Sequence, residues 1–227
     1  MPEKMRVEVA PDQEVTAFVY PAAKPNLADI TLILGHGAGA DQTSSFMTKF
    51  ATALAARGIT VATFNFLYTE EGRHVPDTNN KLEACFRAVV ETTREKEIGR
   101  GTLVIGGKSL GGRIASQIAA AGFPHMEGLI FLGYPLHPPG KVDQLRAKHL
   151  SNIKVPMLFI QGSRDTFGTP DELWPIIKGL KAPANLYVVE GGDHSFKVLK
   201  RMGVIQEDTH KAVLDRIELW LRKTFAT

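Results

Sequence analysis

Cysteine is nearly absent from this chain. Cys85 is the only one in 227 residues, so neither an intrachain disulfide nor a cysteine-built metal cluster is available. Such usage fits a reducing, cytoplasmic setting. Long apolar runs are missing too: nothing approaches the roughly 18 consecutive residues a membrane helix needs. Met1 to Asp12 carries Glu, Lys and Arg where a secretory leader would be apolar, and is not expected to act as one. Charge is balanced, with a net +3 and no dense Lys/Arg run, which argues against nucleic-acid or membrane binding. No internal repeat, low-complexity tract or linker breaks the chain, so one domain over residues 1–227 is expected, long enough for a sizeable core.

What the chain does have is alternation. Arg6 to Val9 and Val15 to Tyr20 are short β-branched segments separated by the turn signal Pro11-Asp12. The uncharged run Ile30 to Leu34 suits a strand buried on both faces and leads into His36-Gly37-Ala38-Gly39-Ala40. Helical spacing follows over Thr43–Arg57, Thr78–Lys96, Leu110–Ala121, Pro170–Leu180 and Gln206–Phe225. Strands are expected at Ile59–Phe66, Thr102–Gly106, Gly128–Leu132, Pro156–Ile160 and Leu186–Val189. The order predicts an α/β fold: a mostly parallel twisted sheet, helices on both faces and an antiparallel start. Active groups in such sheets gather on loops beyond the carboxyl ends of the strands.

One such loop holds Gly107-Lys108-Ser109-Leu110-Gly111, between a strand and a helix. In a turn this tight the neighbours of the nucleophile must lack side chains, and the serine hydroxyl stands at a helix N-terminus. A serine needs a base, and the base needs a carboxylate. Asp165 and His194 follow later strands on the same edge, in the chain order nucleophile, acid, histidine. Asp193 adjoins the histidine and is expected to point elsewhere; Asp171 lies too far into the next helix. The backbone amides of Ala38 and Leu110 are the candidate oxyanion donors. Arg73, Lys108, Arg113 and Arg164 lie in or near active-edge loops and are candidates for holding a substrate carboxylate. The competing reading is ion pairing with Glu70, Glu71 or Asp77.

With His36-Gly37, Gly107 to Gly111, Asp165 and His194 in order, the chain resembles the α/β-hydrolase superfamily over nearly its whole length. Gly35-His36-Gly37-Ala38-Gly39, Gly107 to Arg113 and Leu132-Gly133-Tyr134-Pro135-Leu136 look like one small branch of it. That branch includes dienelactone-hydrolase-like bacterial proteins, the hydrolase-like domain of a chromatin acetyltransferase-complex subunit and a related testis-expressed protein. The chain departs from true dienelactone hydrolases in carrying Ser109 where they have cysteine, so their substrate is not carried over.

The resemblance implies an α/β-hydrolase fold and a serine esterase needing no cofactor or metal. Only Gly133 to Val155 separates two strands where many relatives insert a lid, so no large lid is expected. The expected partner is a small soluble ester or thioester, with no role for nucleic acid or membrane. Two other readings stand beside it: an inactive interaction module on the same fold, and a small serine peptidase.

Overall fold

The protein is described as a computed structural model covering residues 2–23, 29–98 and 100–225. Two antiparallel strands, β1 (Glu3–Ala10) and β2 (Gln13–Tyr20), open the chain. Asp12 turns between them with a positive φ of 60°, a backbone region aspartate tolerates. Then β3 (Ile30–Gly35), whose six residues are all buried, enters the middle of the sheet. β4 (Thr60–Phe64), β5 (Thr102–Lys108), β6 (Gly128–Leu132), β7 (Met157–Gly162) and β8 (Ala184–Val189) complete eight strands. Their spatial order is β1-β2-β4-β3-β5-β6-β7-β8. All neighbours from β4 to β8 run parallel, while β2 meets β4 antiparallel.

The period of two along each strand divides the core. Leu32, Leu34, Val104 and Ile160 pack beneath α1 (Ser45–Ala55) and α6 (Gln206–Phe225), which contribute Phe50, Leu54, Val213 and Ile217. Ile33, Ile105, Phe131 and Phe159 face the other way, toward α3 (Asn79–Glu95), α4 (Leu110–Ala120) and α5 (Pro170–Lys178). Helix α5 starts on a full capping box, Thr169 with Glu172, and carries Pro170 in its first turn, where a missing amide hydrogen costs nothing.

One strand is shorter than expected, and the lidless connection is as expected. The strand expected over Ile59–Phe66 stops at Phe64. The Asn65 amide still donates to the Thr16 carbonyl of β2, its side chain accepts the Gln42 amide and donates to Glu70, and a short helix α2 (Leu67–Glu70) follows. The segment after β6 holds one 3-10 stretch, Lys148–Asn152, and no lid. No helix among the described residues is long and apolar enough to cross a membrane.

Candidate active site

Strand β5 ends at Lys108 and helix α4 begins at Leu110, so Ser109 is the whole turn between them. Its backbone sits at φ 49° and ψ −110°, a sparsely populated region that costs on the order of 1–3 kcal/mol and persists only where the surroundings enforce it. They do so from two sides. The Ser109 amide donates to the Leu132 carbonyl (3.2 Å), and the Gly111 amide to the His36 carbonyl (3.1 Å). A β-carbon on Gly107 or on Gly111 would collide with the backbone of Gly35 in β3. The glycines flanking the serine are therefore required by the neighbouring strand, which the turn touches directly. Ser109 is itself half-buried.

Asp165 and His194 meet at this edge. His194 Nδ1 lies 2.7 Å from Asp165 Oδ2. A carboxylate only accepts, so Nδ1 is the donor, and in a neutral imidazole Nε2 is then the acceptor. That Nε2 is buried and has no hydrogen-bond partner among the described residues. Phe167 stacks on the imidazole with centroids 4.3 Å apart. Asp165 is fully buried, and it also accepts from the Phe167 amide on Oδ1 and from Gln161 Nε2 on Oδ2, each at 2.8 Å. Asp193 accepts the Ser195 and Lys197 amides with its Oδ1, shaping the histidine loop. Asp171 is in the first turn of α5.

The loop carrying Ala38 is anchored by buried His36. Its Nε2 accepts the Phe66 amide (3.2 Å), so Nδ1 is the donor to the Gly37 carbonyl (2.9 Å). Burial pushes the His36 pKa down, which keeps this neutral tautomer. A β-carbon on Gly37 would stand 3.6 Å from Ser109 Cβ, so the loop lies directly beside the serine. Ala38 is exposed. Leu110 opens α4, and its amide has no carbonyl to pair with inside the helix.

The candidate cations separate. Arg73 pairs with Glu71 (2.6 Å) and Asp77 (2.9 Å), the ion-pair alternative named above. Arg113 reaches Asn79 Oδ1 at 3.2 Å, and Arg164 donates to the Gly191 carbonyl at 2.9 Å. Lys108 differs: its Nζ is buried with no hydrogen-bond partner among the described residues. Desolvation lowers its pKa to about 8, against the pull of the Asp165 and Asp193 carboxylates.

A serine–histidine contact is found elsewhere, at α4. Ser116 Oγ is 2.7 Å from His149 Nε2, but it also donates to the Arg113 carbonyl (2.6 Å) and is wholly buried within α4. It ties the 3-10 stretch to that helix. Burial pushes the Cys85 thiol up to about 12, which makes it a poor nucleophile.

Gln161 was not singled out in the sequence. Its Nε2 lies within 3.2 Å of the Tyr134 carbonyl, 2.8 Å of Asp165 and 2.7 Å of the Gly168 carbonyl, while its Oε1 accepts the Tyr134 amide at 2.8 Å. The available signal was a lone polar residue ending the apolar strand Met157–Ile160, just before the acid loop. Gln161→Leu removes every one of these bonds and leaves buried polar groups unpaired. We expect about 3 kcal/mol of lost stability in urea unfolding, together with lower activity.

Three cavities, of about 840, 570 and 400 Å³, lie away from Ser109. The first is bordered by segments that precede β6, β7 and β8, such as Phe123, Ile153 and Pro183, at the opposite edge of the sheet.

With this geometry in place, the comparison with known families is direct. Residues 28–222 match the model of the alpha/beta hydrolase domain. The chain belongs to that family. Among solved α/β hydrolases, a lidless serine hydrolase of Xanthomonas campestris is similar to it, at 22% identity and a TM-score of 0.76, covering 100% of this chain and 96% of that one. A dienelactone hydrolase from Anabaena variabilis gives 16% and 0.77, over 99% and 98%. The esterase domain of a Rhodothermus marinus protein gives 13% and 0.74, over the full length of both. At these identities the likeness is one of fold. The protein is an α/β hydrolase whose neighbours include esterases and serine hydrolases.

Proposed function

We propose that this α/β hydrolase cleaves a carboxylic ester or thioester of a small soluble molecule, by acyl transfer first to Ser109 and then to water. The observation that carries the reading is a strained serine turn on the same sheet edge as a histidine held 2.7 Å from a buried carboxylate. His194 Nε2 takes the Ser109 proton as the oxygen attacks the carbonyl carbon. Asp165 holds the imidazole tautomer and stabilises the imidazolium. The amides of Ala38 and Leu110 receive the oxyanion, each donor being worth about 2.7–4 kcal/mol. The proton passes to the leaving alcohol or thiol, and a water, deprotonated by His194, releases the acid.

The short connection after β6 supports an open, shallow site for small acyl groups. We read residues 1–227 as one hydrolase domain of the dienelactone-hydrolase-like branch. The single cysteine supports a cytoplasmic setting.

A panel of p-nitrophenyl esters from acetate to palmitate tests this. We expect acetate or butyrate to turn over at least about tenfold faster than long chains, and Ser109→Ala to lose about 10⁴-fold or more in kcat. Undiminished turnover by Ser109→Ala removes the mechanism. Equal rates on short and long chains remove the substrate class.

A further inference from the structure

Lys108 is the one candidate cation whose charged group has no hydrogen-bond partner among the described residues, and it adjoins the nucleophile. Only 8% of the residue is exposed, and its Nζ, closed off from solvent, has no hydrogen-bond partner among the described residues. An ammonium in that state is unusual, because three donors left unpaired in a dry setting carry a large desolvation cost. Its surroundings explain where it points. The position a β-carbon would take on Gly133 is 3.1 Å from Lys108 Nζ and 3.2 Å from His194 Nδ1. The amine and the imidazole therefore both border the point where Gly133 lacks a side chain. Gly133 has a φ of +69°, and the His194 carbonyl oxygen stands 2.8 Å from the same point, so only a glycine fits there. The Phe46 ring of α1 stands 6.0 Å from Nζ on another side. The charged groups acting on the amine are Asp165, from the loop after β7, and Asp193, from the loop after β8.

We propose that Lys108 is a positioning residue for the Ser109–His194 reaction, its charge opposing the imidazolium that forms when His194 takes the serine proton. The inference rests on the reading of Ser109 and His194 given above. With Lys108 protonated, two cations meet beside Gly133 in the transition state, and proton transfer is slowed. With Lys108 neutral, the imidazolium faces an uncharged amine and keeps the full attraction of Asp165. Substrate contact is a different role, and a closed-off Nζ does not fit it. The consequence is an enzyme that gains speed as the pH rises through the ionisation of this lysine.

The sign can be followed at both ends. Burial holds the amine near 8, against 10.5 in ordinary surroundings. Below about 8 the folded and unfolded chains both carry the proton, and the folded state bears the whole penalty of burying it. Between about 8 and 10.5 the unfolded chain binds a proton that the folded chain has released, so stability rises with pH across that window. Lys108→Met keeps the apolar stem and removes the charge, so it loses this rise.

The test uses a fluorophosphonate on the purified full-length protein. In labelling, the Ser109 oxygen forms a bond to phosphorus, the P–F bond breaks, fluoride leaves and the hydroxyl proton goes to His194. Second-order labelling rates are measured from pH 6.5 to 9.5, with thermal midpoints over pH 7 to 10.5. The expected wild-type rate climbs about tenfold through a midpoint near 8. Lys108→Met is expected to run near the fast wild-type limit already at pH 7.5, with no step near 8. Lys108→Arg, which keeps its proton throughout, is expected to stay slow at pH 9.5. A Lys108→Met protein that keeps the wild-type step, or is slow at every pH, overturns the proposal. Absence of labelling in folded wild type overturns the Ser109 reading together with it. That outcome differs visibly from labelling whose pH profile ignores Lys108.

Discussion

Replacing Asp165 by asparagine lowers kcat/KM on a p-nitrophenyl ester by about 10⁴-fold. The reason lies in the donors around the carboxylate. Oδ1 accepts the Phe167 amide, and Oδ2 accepts both Gln161 Nε2 and His194 Nδ1. An asparagine has only one acceptor oxygen. Turned toward His194, it sets its own NH₂ against the Phe167 N–H. Turned toward Phe167, it sets the NH₂ against Gln161 and His194, and the imidazole must move its proton to Nε2, where a base is needed. Phe167 is stacked on the ring, so the wrong tautomer is held in place as firmly as the right one. The donor–donor contact also costs about 1–3 kcal/mol. The checking measurements are steady-state kinetics and urea unfolding: normal activity in a folded Asp165→Asn protein contradicts the role given to this carboxylate.

Gly111→Ala is the second large effect, and it acts on stability and activity at once. The new methyl meets the carbonyl, carbon and Cα of Gly35. These are backbone atoms of a fully buried strand at the centre of the sheet, so no rotamer change can relieve the contact. Either β3 shifts or α4 backs away from it. The second course releases the Gly111 amide from the His36 carbonyl, and with it the packing that enforces the strained φ and ψ of Ser109. We expect a loss of about 3 kcal/mol, the upper range for overpacking, or a fall of about 6–12 °C in Tm for a domain of this size. Esterase activity should fall by more than the unfolded fraction explains, because the serine leaves its turn. A Tm and a rate unchanged in Gly111→Ala contradict the account of the turn.

The sheet was readable from residues whose local pattern and tertiary role agree. Ile30 to Leu34 suited a strand buried on both faces, and the glycines around Ser109 suited a tight turn. Asp165 and His194 followed from one topological rule, that both loops leave the carboxyl edge. Where two distant segments decide the outcome, the pattern was silent. Lys108 looked like one more loop cation, yet Phe46 and Gly133 bury it, and neither adjoins it in sequence. Gln161 drew no notice, because its partner Tyr134 comes from the loop after β6. Arg73 followed the ion-pair alternative, because Glu71 and Asp77 are close to it in sequence. Strand β4 stopped at Phe64, where composition alone would have continued it.

The most direct test of the serine mechanism is peptide mapping by mass spectrometry after reaction with a fluorophosphonate. Ser109 at the turn and Ser116 beside His149 are the two serines that compete for the role, and they fall on distinguishable sites. The account predicts one adduct on Ser109 in the wild type, no adduct in Ser109→Ala, and unchanged labelling in Ser116→Ala. An adduct on Ser116, or a folded wild-type protein that takes none, contradicts it.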